Sequence, residues 1–269
     1  MKEAEEKRPS WLFYSCYAEK SRVTENFVYE HSFTHVLEGS LAFFVEGVRR
    51  EYHAGDSLLV KRNQLAKATK LPPEGGIFRS VSIRLDQESL RSFSAEQGVH
   101  TTGPYRGDGI VLLKHDLFSD SFFESLSPYF TVPESNIDES LRKLKVKEAI
   151  LLLLRLNKGI KDLLFDFSEP GKIDLEEFMN KHFAFNVEMK QFAYLTGRSL
   201  ATFKRDFEKI FHTSPGRWLQ QKRLEQAYYL IKDQGKKPSD VYLEVGFEDL
   251  SHFSFAFKKE FGKAPTLLN

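Results

Sequence analysis

Basic side chains lie between regularly spaced phenylalanines in a segment near the carboxy terminus. Three phenylalanines recur at intervals of four residues: Phe203, Phe207 and Phe211. This spacing places them on one side of a helix, where they would pack on a core. Ala201, Lys204 and Arg205 fall on the opposite side. Because lysine and arginine bind guanine edges and phosphates, that side has the chemistry needed to read a nucleic acid.

A second segment repeats this arrangement 50 residues later. Its phenylalanine stripe consists of Phe253, Phe257 and Phe261, and its opposite side carries Ser251, Ser254, Phe255 and Lys258. Serine and an apolar ring suit the DNA backbone or thymine methyl groups. A single exposed lysine such as Lys204 is more often a solvated charge than a ligand, but two copies in one register favour DNA binding.

The elements around these segments are also duplicated. In each copy a short helix precedes a glycine turn, "LTGRS" or "EVGFED", and the next helix starts after an N-cap residue, Ser199 or Asp249. Helix, glycine turn and helix is the outline of a helix-turn-helix. Helical patterns cover the region beyond the linker candidate "SEPGK" at 168–172 and are predicted at 175–182, 187–195, 200–210, 215–232, 239–245 and 250–261.

The amino-terminal half has a different pattern. Between residues 25 and 85, short alternating apolar runs are separated by turn glycines, including Gly47, which predicts antiparallel strands closing into a barrel or sandwich. Helices are predicted at 87–97, 116–130 and 136–156. The fold class expected is therefore α+β with two domains: an antiparallel β-barrel at 1–130, a helical dimerisation or linker segment at 131–170, and an all-α domain with two helix-turn-helix units at 171–269.

Composition limits the cellular setting more than the function. The chain has 269 residues and a net charge of +1, while the part from Gly171 onward has 16 basic and 13 acidic residues. A single cysteine, Cys16, excludes an internal disulfide. No secretory signal is recognised at residues 1–10 and no apolar run is long enough for a membrane helix. We expect a cytoplasmic protein with no membrane association.

The duplicated segments resemble the AraC/XylS family of transcriptional regulators. The resemblance covers about 187–265 and is carried by "LTGRSLATFKRDFEKIFHTSPGRWLQQKRLEQAYYLI" and "PSDVYLEVGFEDLSHFSFAFKKEFGKAP". More loosely, "HSFTHVLEGSLAFFVEGVRREYHAGDSLLV" is similar to the cupin-like regulatory domain of such proteins. "LATFKRDF" looks similar to the subgroup that activates type III secretion.

The resemblance implies promoter DNA as a partner, RNA polymerase as the target of activation, and a homodimer formed through the helix at 136–156. Alternatively, the apolar stripe of that helix only caps the barrel. The residues implied to contact DNA are Ser199, Ala201, Thr202, Lys204, Arg205, Ser251, His252, Ser254, Phe255 and Lys258. Phe255 departs from the family pattern, which tends to have a polar or basic residue there, so the second unit would use apolar or phosphate contacts.

The role of the amino-terminal domain stays open between a small-molecule effector and a protein partner such as an antagonist. Phe33, Phe43 and Tyr52 are candidates to line an effector site, or they simply fill the core. A metal-dependent cupin enzyme is the other class considered. His31 and His35 lie four residues apart on one predicted strand, which separates them by roughly 13 Å, too far for one metal ion. We therefore expect no metal, no cofactor and no catalytic residues.

Overall fold

A computed structural model of the chain describes residues 11–21, 24–45, 48–114 and 116–268. The amino-terminal segment 1–10, where no secretory signal was recognised, lies outside the described residues, and so does the predicted turn glycine Gly47. None of the described helices combines the length and apolar character that crossing a membrane requires.

The amino-terminal part consists of two antiparallel sheets. In the described residues the strands are β1 (Leu12–Tyr17), β2 (Thr24–Val28), β3 (His31–Glu38), β4 (Ser40–Val45), β5 (Val48–His53), β6 (Ser57–Val60), β7 (Gln64–Leu71), β8 (Phe78–Leu85) and β9 (Ile110–Leu113). One sheet has the order β1-β8-β3-β6-β9 and the other β2-β7-β4-β5. The antiparallel domain is confirmed, and β1 and β9 were not predicted.

The predicted antiparallel architecture is found as two sheets, which in the described residues do not close into one barrel. Closure requires the edge strands to pair, and in the described residues β1 and β9 pair only within their own sheet. The five-stranded sheet is instead buried on both faces. One face packs on the second sheet through Val36, Leu58 and Phe78. The other packs on helices through Phe33 and Ile83.

The helices on that outer face are α1 (Gln87–Gln97), α2 (Leu117–Glu124), α3 (Glu139–Leu156) and α4 (Lys161–Leu164). A 3₁₀ turn at Ser127–Phe130 follows α2, with Pro128 near its start, so the helix predicted at 116–130 ends early. Helix α3 buries Val146, Ile150 and Leu153 in the core, while Leu144 and Leu151 are exposed on another side.

Six further helices form the carboxy-terminal part of the described chain: α5 (Leu175–His182), α6 (Met189–Leu195), α7 (Leu200–Phe211), α8 (Pro215–Lys232), α9 (Pro238–Glu244) and α10 (Leu250–Phe261). The predicted spans agree closely. Helix α6 starts two residues later than predicted because Glu188 and Gln191 form a capping box at its start. Residues 166–174, which include "SEPGK", form neither helix nor strand.

The two parts of the chain share a packed interface that the sequence pattern did not predict. Phe27 of β2 and Leu65 of β7 join the core of the first helix-turn-helix unit. Tyr29 accepts a hydrogen bond from Gln191 Nε2 at 2.6 Å. Buried Arg62 donates to the carbonyl oxygens of Asp166 at 2.9 Å and Ser168 at 3.2 Å, so it fixes the start of the linker.

Candidate nucleic-acid interface

Helix α7 presents the first predicted reading face. Ser199 caps the helix: its Oγ accepts from the Thr202 N–H at 3.2 Å and donates to the Thr202 hydroxyl at 3.0 Å. Phe203 and Phe207 are fully buried, which fixes the rotation of the helix. Ala201, Lys204 and Arg205 are consequently exposed on the other side, as the spacing predicted, with Thr202 partly buried between the two sides.

Arg198 is also basic, but it is used inside the first unit. Its Nε lies 3.2 Å from Asp206 Oδ2, and its Nη1 donates to the carbonyls of Ile173 at 3.0 Å and Thr196 at 2.7 Å. The hydrogen bond from Arg198, aided by the charges of Lys172 and Arg205, holds the pKa of Asp206 below its usual value. Arg198 therefore fixes the turn against α7 and the linker, whereas Lys204 and Arg205 are exposed on the predicted reading face.

Helix α10 presents the second face. Asp249 Oδ1 accepts from the His252 N–H at 2.7 Å, and Phe253 and Phe257 are fully buried. The remaining predicted contact residues lie away from the core: Ser251, His252, Phe255 and Lys258 are exposed, and Ser254 is partly buried. The Phe255 ring is 71% exposed. A large exposed ring beside serine and lysine suits a surface that becomes covered on binding.

Glycine is required in both turns. Gly197 and Gly246 have φ of +65° and +96°, in the left-handed region that L side chains rarely adopt. A Cβ at Gly197 would overlap the backbone of Gly171 in the linker. A Cβ at Gly246 would lie 2.6 Å from the carbonyl oxygen of Ala184. Each turn thus packs directly against backbone, which positions the helix that follows it.

Helix α8 joins the two units. Trp218 and Leu219 lie in the core of the first unit, while Leu224 and Ile231 lie in the core of the second. The helix has 18 residues and is therefore about 27 Å long. Because both cores include residues of one continuous helix, α7 and α10 are held at a defined separation.

The three predicted effector residues do not share one cavity. Phe33 packs against Phe122 and Phe123 in the core beneath the helices. Tyr52 lies in the core between the sheets, 6.3 Å from Phe43 measured between ring centroids. Phe43 also borders a groove of about 720 Å³ between the four-stranded sheet and the carboxy-terminal helices. Their assignment to an effector stays a prediction.

The two histidines weighed as metal ligands have other partners. His31 Nδ1 accepts from the backbone N–H of Arg62 at 3.2 Å. His35 Nδ1 is 2.9 Å from the Ser57 hydroxyl, and its ring stacks on Phe123. Among the residues with described positions, no group of three or more His, Cys, Asp or Glu side chains is arranged to hold a metal ion.

Two family models match the chain. One, described as a helix-turn-helix domain, matches residues 192–268, which include α7 and α10. The other, described as the ExsA N-terminal regulatory domain, matches residues 31–164. The boundary between the matches falls across the linker and α5.

Several curated proteins are similar to about half of this chain. The HTH-type transcriptional regulator ExsA of Pseudomonas aeruginosa is 27% identical over 46% of this chain and 45% of its own length. The virulence regulon transcriptional activator VirF of Yersinia enterocolitica is 27% identical over 49% of each chain. The alignments thus span about half the length of these relatives. An uncharacterised HTH-type regulator of Bacillus subtilis, YbfI, is 31% identical over 52% of this chain and 50% of its own.

Among solved structures, an apo variant of ToxT from Vibrio cholerae aligns over 96% of both chains, with a TM-score of 0.47 and 14% identity. The helix-turn-helix model agrees with the duplicated geometry of α7 and α10. The chain belongs to the AraC family of regulators, with an ExsA-type regulatory domain ahead of its helix-turn-helix domain.

Proposed function

We propose that this protein binds promoter DNA with α7 and α10 in successive turns of the major groove and activates transcription. The observation that carries the proposal is the pair of exposed helix faces in one register, on duplicated units joined by a single helix. Successive major grooves on one side of B-DNA lie about 34 Å apart. A rigid connection through α8 suits a target with fixed spacing.

The two faces have different chemistry. In the first unit, Lys204 and Arg205 are suited to guanine edges and phosphates. In the second, Phe255 is suited to apolar contact with thymine methyls, with Ser251 and Lys258 toward the backbone. We therefore propose that the first unit supplies most of the hydrogen-bonded sequence discrimination. The proposed contact set is completed by residues near the two helix starts: Ser199, Ala201, Thr202, His252 and Ser254.

Activation is the proposed sign of regulation, because the relatives named above include one described as a transcriptional activator. Contact with RNA polymerase is the proposed route, and the cytoplasm is the proposed location because both partners would be there. The proposed domains are the regulatory domain at 1–130, the dimerisation or linker segment at 131–170 and the DNA-binding domain at 171–269. The alternative is a cupin enzyme or a metabolite-binding protein with a helical interaction tail, and the absence of DNA binding in the experiment below would favour it.

Dimerisation through α3 is part of the proposal. One side of α3 is buried on the five-stranded sheet and α1, so capping of the sheet occupies that side. Leu141, Leu144 and Leu151 remain exposed elsewhere on the helix. Exposed leucines of this kind on one helix are suited to pairing with a second copy, which would place two DNA-binding domains on repeated sites.

Control by the amino-terminal domain is proposed to act through the interface between the two parts of the chain. The groove there has apolar walls that include Phe43, Phe44 and Leu243. Its charged lining has more basic than acidic residues: Lys20, Arg49, Lys67 and Lys181 against Asp240 and Glu244. Such a lining suits an amphipathic effector with negative charge. A protein antagonist on the outer surface is the second way in which the domain could be controlled.

The test uses the full-length chain and a library of genomic DNA fragments at several salt concentrations. We expect selection of a site with contacts one helical turn apart. The double variant Lys204→Ala with Arg205→Ala should lose about 1–3 kcal/mol of binding free energy per lost base contact. The matched control, Lys143→Ala with Lys158→Ala, removes the same charge from exposed positions of the amino-terminal part. Equal affinity of the two double variants, or no selected DNA at low salt, would overturn the proposal.

A further inference from the structure

Three successive carbonyls in the loop between α5 and α6 accept hydrogen bonds from basic side chains outside the loop. Arg223 of α8 donates from Nε to Phe183 O at 2.9 Å and from Nη2 to Phe185 O at 2.7 Å. Between them, Lys67 Nζ donates to Ala184 O at 2.8 Å. Arg223 belongs to the helix that joins the two units, whereas Lys67 belongs to β7 in the amino-terminal domain.

The same ammonium group also reaches the second unit. Lys67 Nζ donates to Glu244 O, at the end of α9, at 3.1 Å. The last carbonyls of a helix lack intrahelical partners and form the negative end of its dipole, so a cation is favourable there. One lysine of the amino-terminal sheet therefore binds backbone of both helix-turn-helix units at once.

The two units also touch each other directly at this point. The turn glycine Gly246 sits so close to Ala184 O that an added Cβ would be 2.6 Å from it. Nearby, Asn186 Nδ2 donates to Glu248 Oε1 at 2.6 Å. Any change in the placement of α9 and α10 relative to the first unit must therefore alter the surroundings of the Lys67 ammonium.

Lys67 is held firmly in this position. It is only 8% exposed, and its ammonium lies 5.1 Å from the centroid of the Phe185 ring. A buried cation is tolerated when hydrogen-bond acceptors replace its water, as the two carbonyls do here. Two apolar residues of the same sheet, Phe27 and Leu65, lie in the core of the first unit.

We infer that Lys67 is a positioning residue for DNA recognition: it fixes the placement of α10 relative to α7 and makes two-groove binding depend on docking of the amino-terminal sheet. The inference rests on the proposed function. Two reading helices held in one arrangement bind as a preorganised pair. Without the Lys67 contacts, α8 and Arg223 still connect the units, but their relative placement has more freedom.

The experiment compares full-length wild type, Lys67→Met, Lys67→Arg and Lys70→Met by fluorescence anisotropy. Methionine keeps the apolar stem of lysine without its charge, and arginine keeps a cationic donor. Lys70 lies on the same strand and donates to Ser15 within the amino-terminal domain, so it is a matched control. The DNA probes are the site selected by wild type, a version with the half that α10 contacts scrambled, and versions with the halves moved apart by a few base pairs.

We expect Lys67→Met to bind the intact site about 5-fold or more weakly, while its affinity for the scrambled probe equals that of wild type. It should also discriminate less between spacings, and Lys67→Arg and Lys70→Met should behave nearly as wild type does. Unchanged or higher affinity of Lys67→Met for the intact site would overturn the inference, as would an equal loss on both kinds of probe. Failure of wild type to select any DNA would instead overturn the proposed function.

Discussion

His31 Nδ1 accepts a hydrogen bond from the backbone N–H of Arg62 at 3.2 Å, and the Arg62 side chain in turn holds the linker carbonyls of Asp166 and Ser168. Burial, assisted by the charges of Arg62 and Lys61, lowers the pKa of His31 to about 3. The imidazole is therefore neutral at pH 7. Its Nε2 is buried with no hydrogen-bond partner among the described atoms. A protonated ring would lose the Arg62 N–H contact.

This relationship predicts sensitivity to mild acid. The pKa of His31 is lower in the folded state than the ordinary value of 6.5. Above pH 6.5 the ring is neutral in both the folded and the unfolded chain, and the folded state has its full stability. As the pH falls from 6.5 towards 3, the unfolded chain binds a proton that the folded chain does not, and stability is lost. We expect the free energy of unfolding to fall by up to about 1.4 kcal/mol per pH unit below pH 6.5. Denaturant titrations between pH 7.5 and about pH 4.5, above most carboxylate pKa values, would measure the slope.

The matched variants for this prediction are His31→Gln and His53→Gln. Glutamine offers an acceptor for the Arg62 N–H and does not titrate, so His31→Gln should lack most of the slope. His53 is exposed, so its replacement should leave the slope unchanged. A wild-type slope in His31→Gln would contradict the prediction.

The close approach of Gly246 to Ala184 predicts that alanine is poorly tolerated at this turn. Gly246→Ala places a Cβ 2.6 Å from a carbonyl oxygen, at a φ of +96°. Gly235, with a φ of +65° and nothing within 4 Å of an added Cβ, is the matched control. Left-handed backbone costs an alanine about 1–2 kcal/mol, and we expect Gly246→Ala to lose about 1 kcal/mol more than Gly235→Ala through overlap. Equal melting temperatures for the two variants would show that the turn relaxes freely.

Different contributions to DNA binding are expected from two residues of α10. Lys258→Ala removes one exposed charge. If the lysine neutralises one phosphate, the plot of log binding constant against log salt concentration should become less steep by about 0.9. Phe255→Ala should weaken binding without changing that slope, because an apolar contact releases no counterions. Salt titrations of each full-length variant on one DNA fragment measure both quantities. An unaltered affinity for Phe255→Ala would remove its ring from the contact set.

The exposed leucines of α3 predict a surface mutation that separates oligomerisation from stability. Leu144 and Leu151 are 61% and 50% exposed. Changing both to glutamate should reduce the mass measured by sedimentation to that of a monomer, while the unfolding free energy stays within about 0.5 kcal/mol per substitution. Leu267→Glu, at a position 68% exposed, controls for the loss of a surface leucine. A dimer that persists in the double variant would place the interface elsewhere.

Local periodicity accounts for what was predictable in the fold. The spacing of Phe203 and Phe207, with Ser199 as N-cap, identified α7 because a helix brings residues four apart together. Strand pairing has no such local rule. β1 pairs with β8, far along the chain, and the four-residue run of β9 has too little pattern to identify a strand. The separation of the two sheets depends on these pairings.

The candidate site likewise has some features that local spacing predicts and others that it does not. The exposure of Lys204 and Arg205 follows from the phenylalanine stripe, and the helix boundaries followed from caps and turns. The internal use of Arg198 depends on partners in the linker and α7. The contacts of Lys67 join residues 117 and 177 positions apart. Spacing along the chain carries no information about such contacts.

The insertion of Phe27 and Leu65 into the core of the first unit also has a consequence for biosynthesis. The amino-terminal sheets leave the ribosome well before residues 175–219, which provide the rest of that core, have been synthesised. Until then Phe27 and Leu65 on the four-stranded sheet are exposed to water, where a chaperone or a second nascent chain can bind them. Proteolytic cleavage within 166–174 would recreate the same state on both fragments. Cutting the linker would thus separate two pieces that each lack part of this shared core.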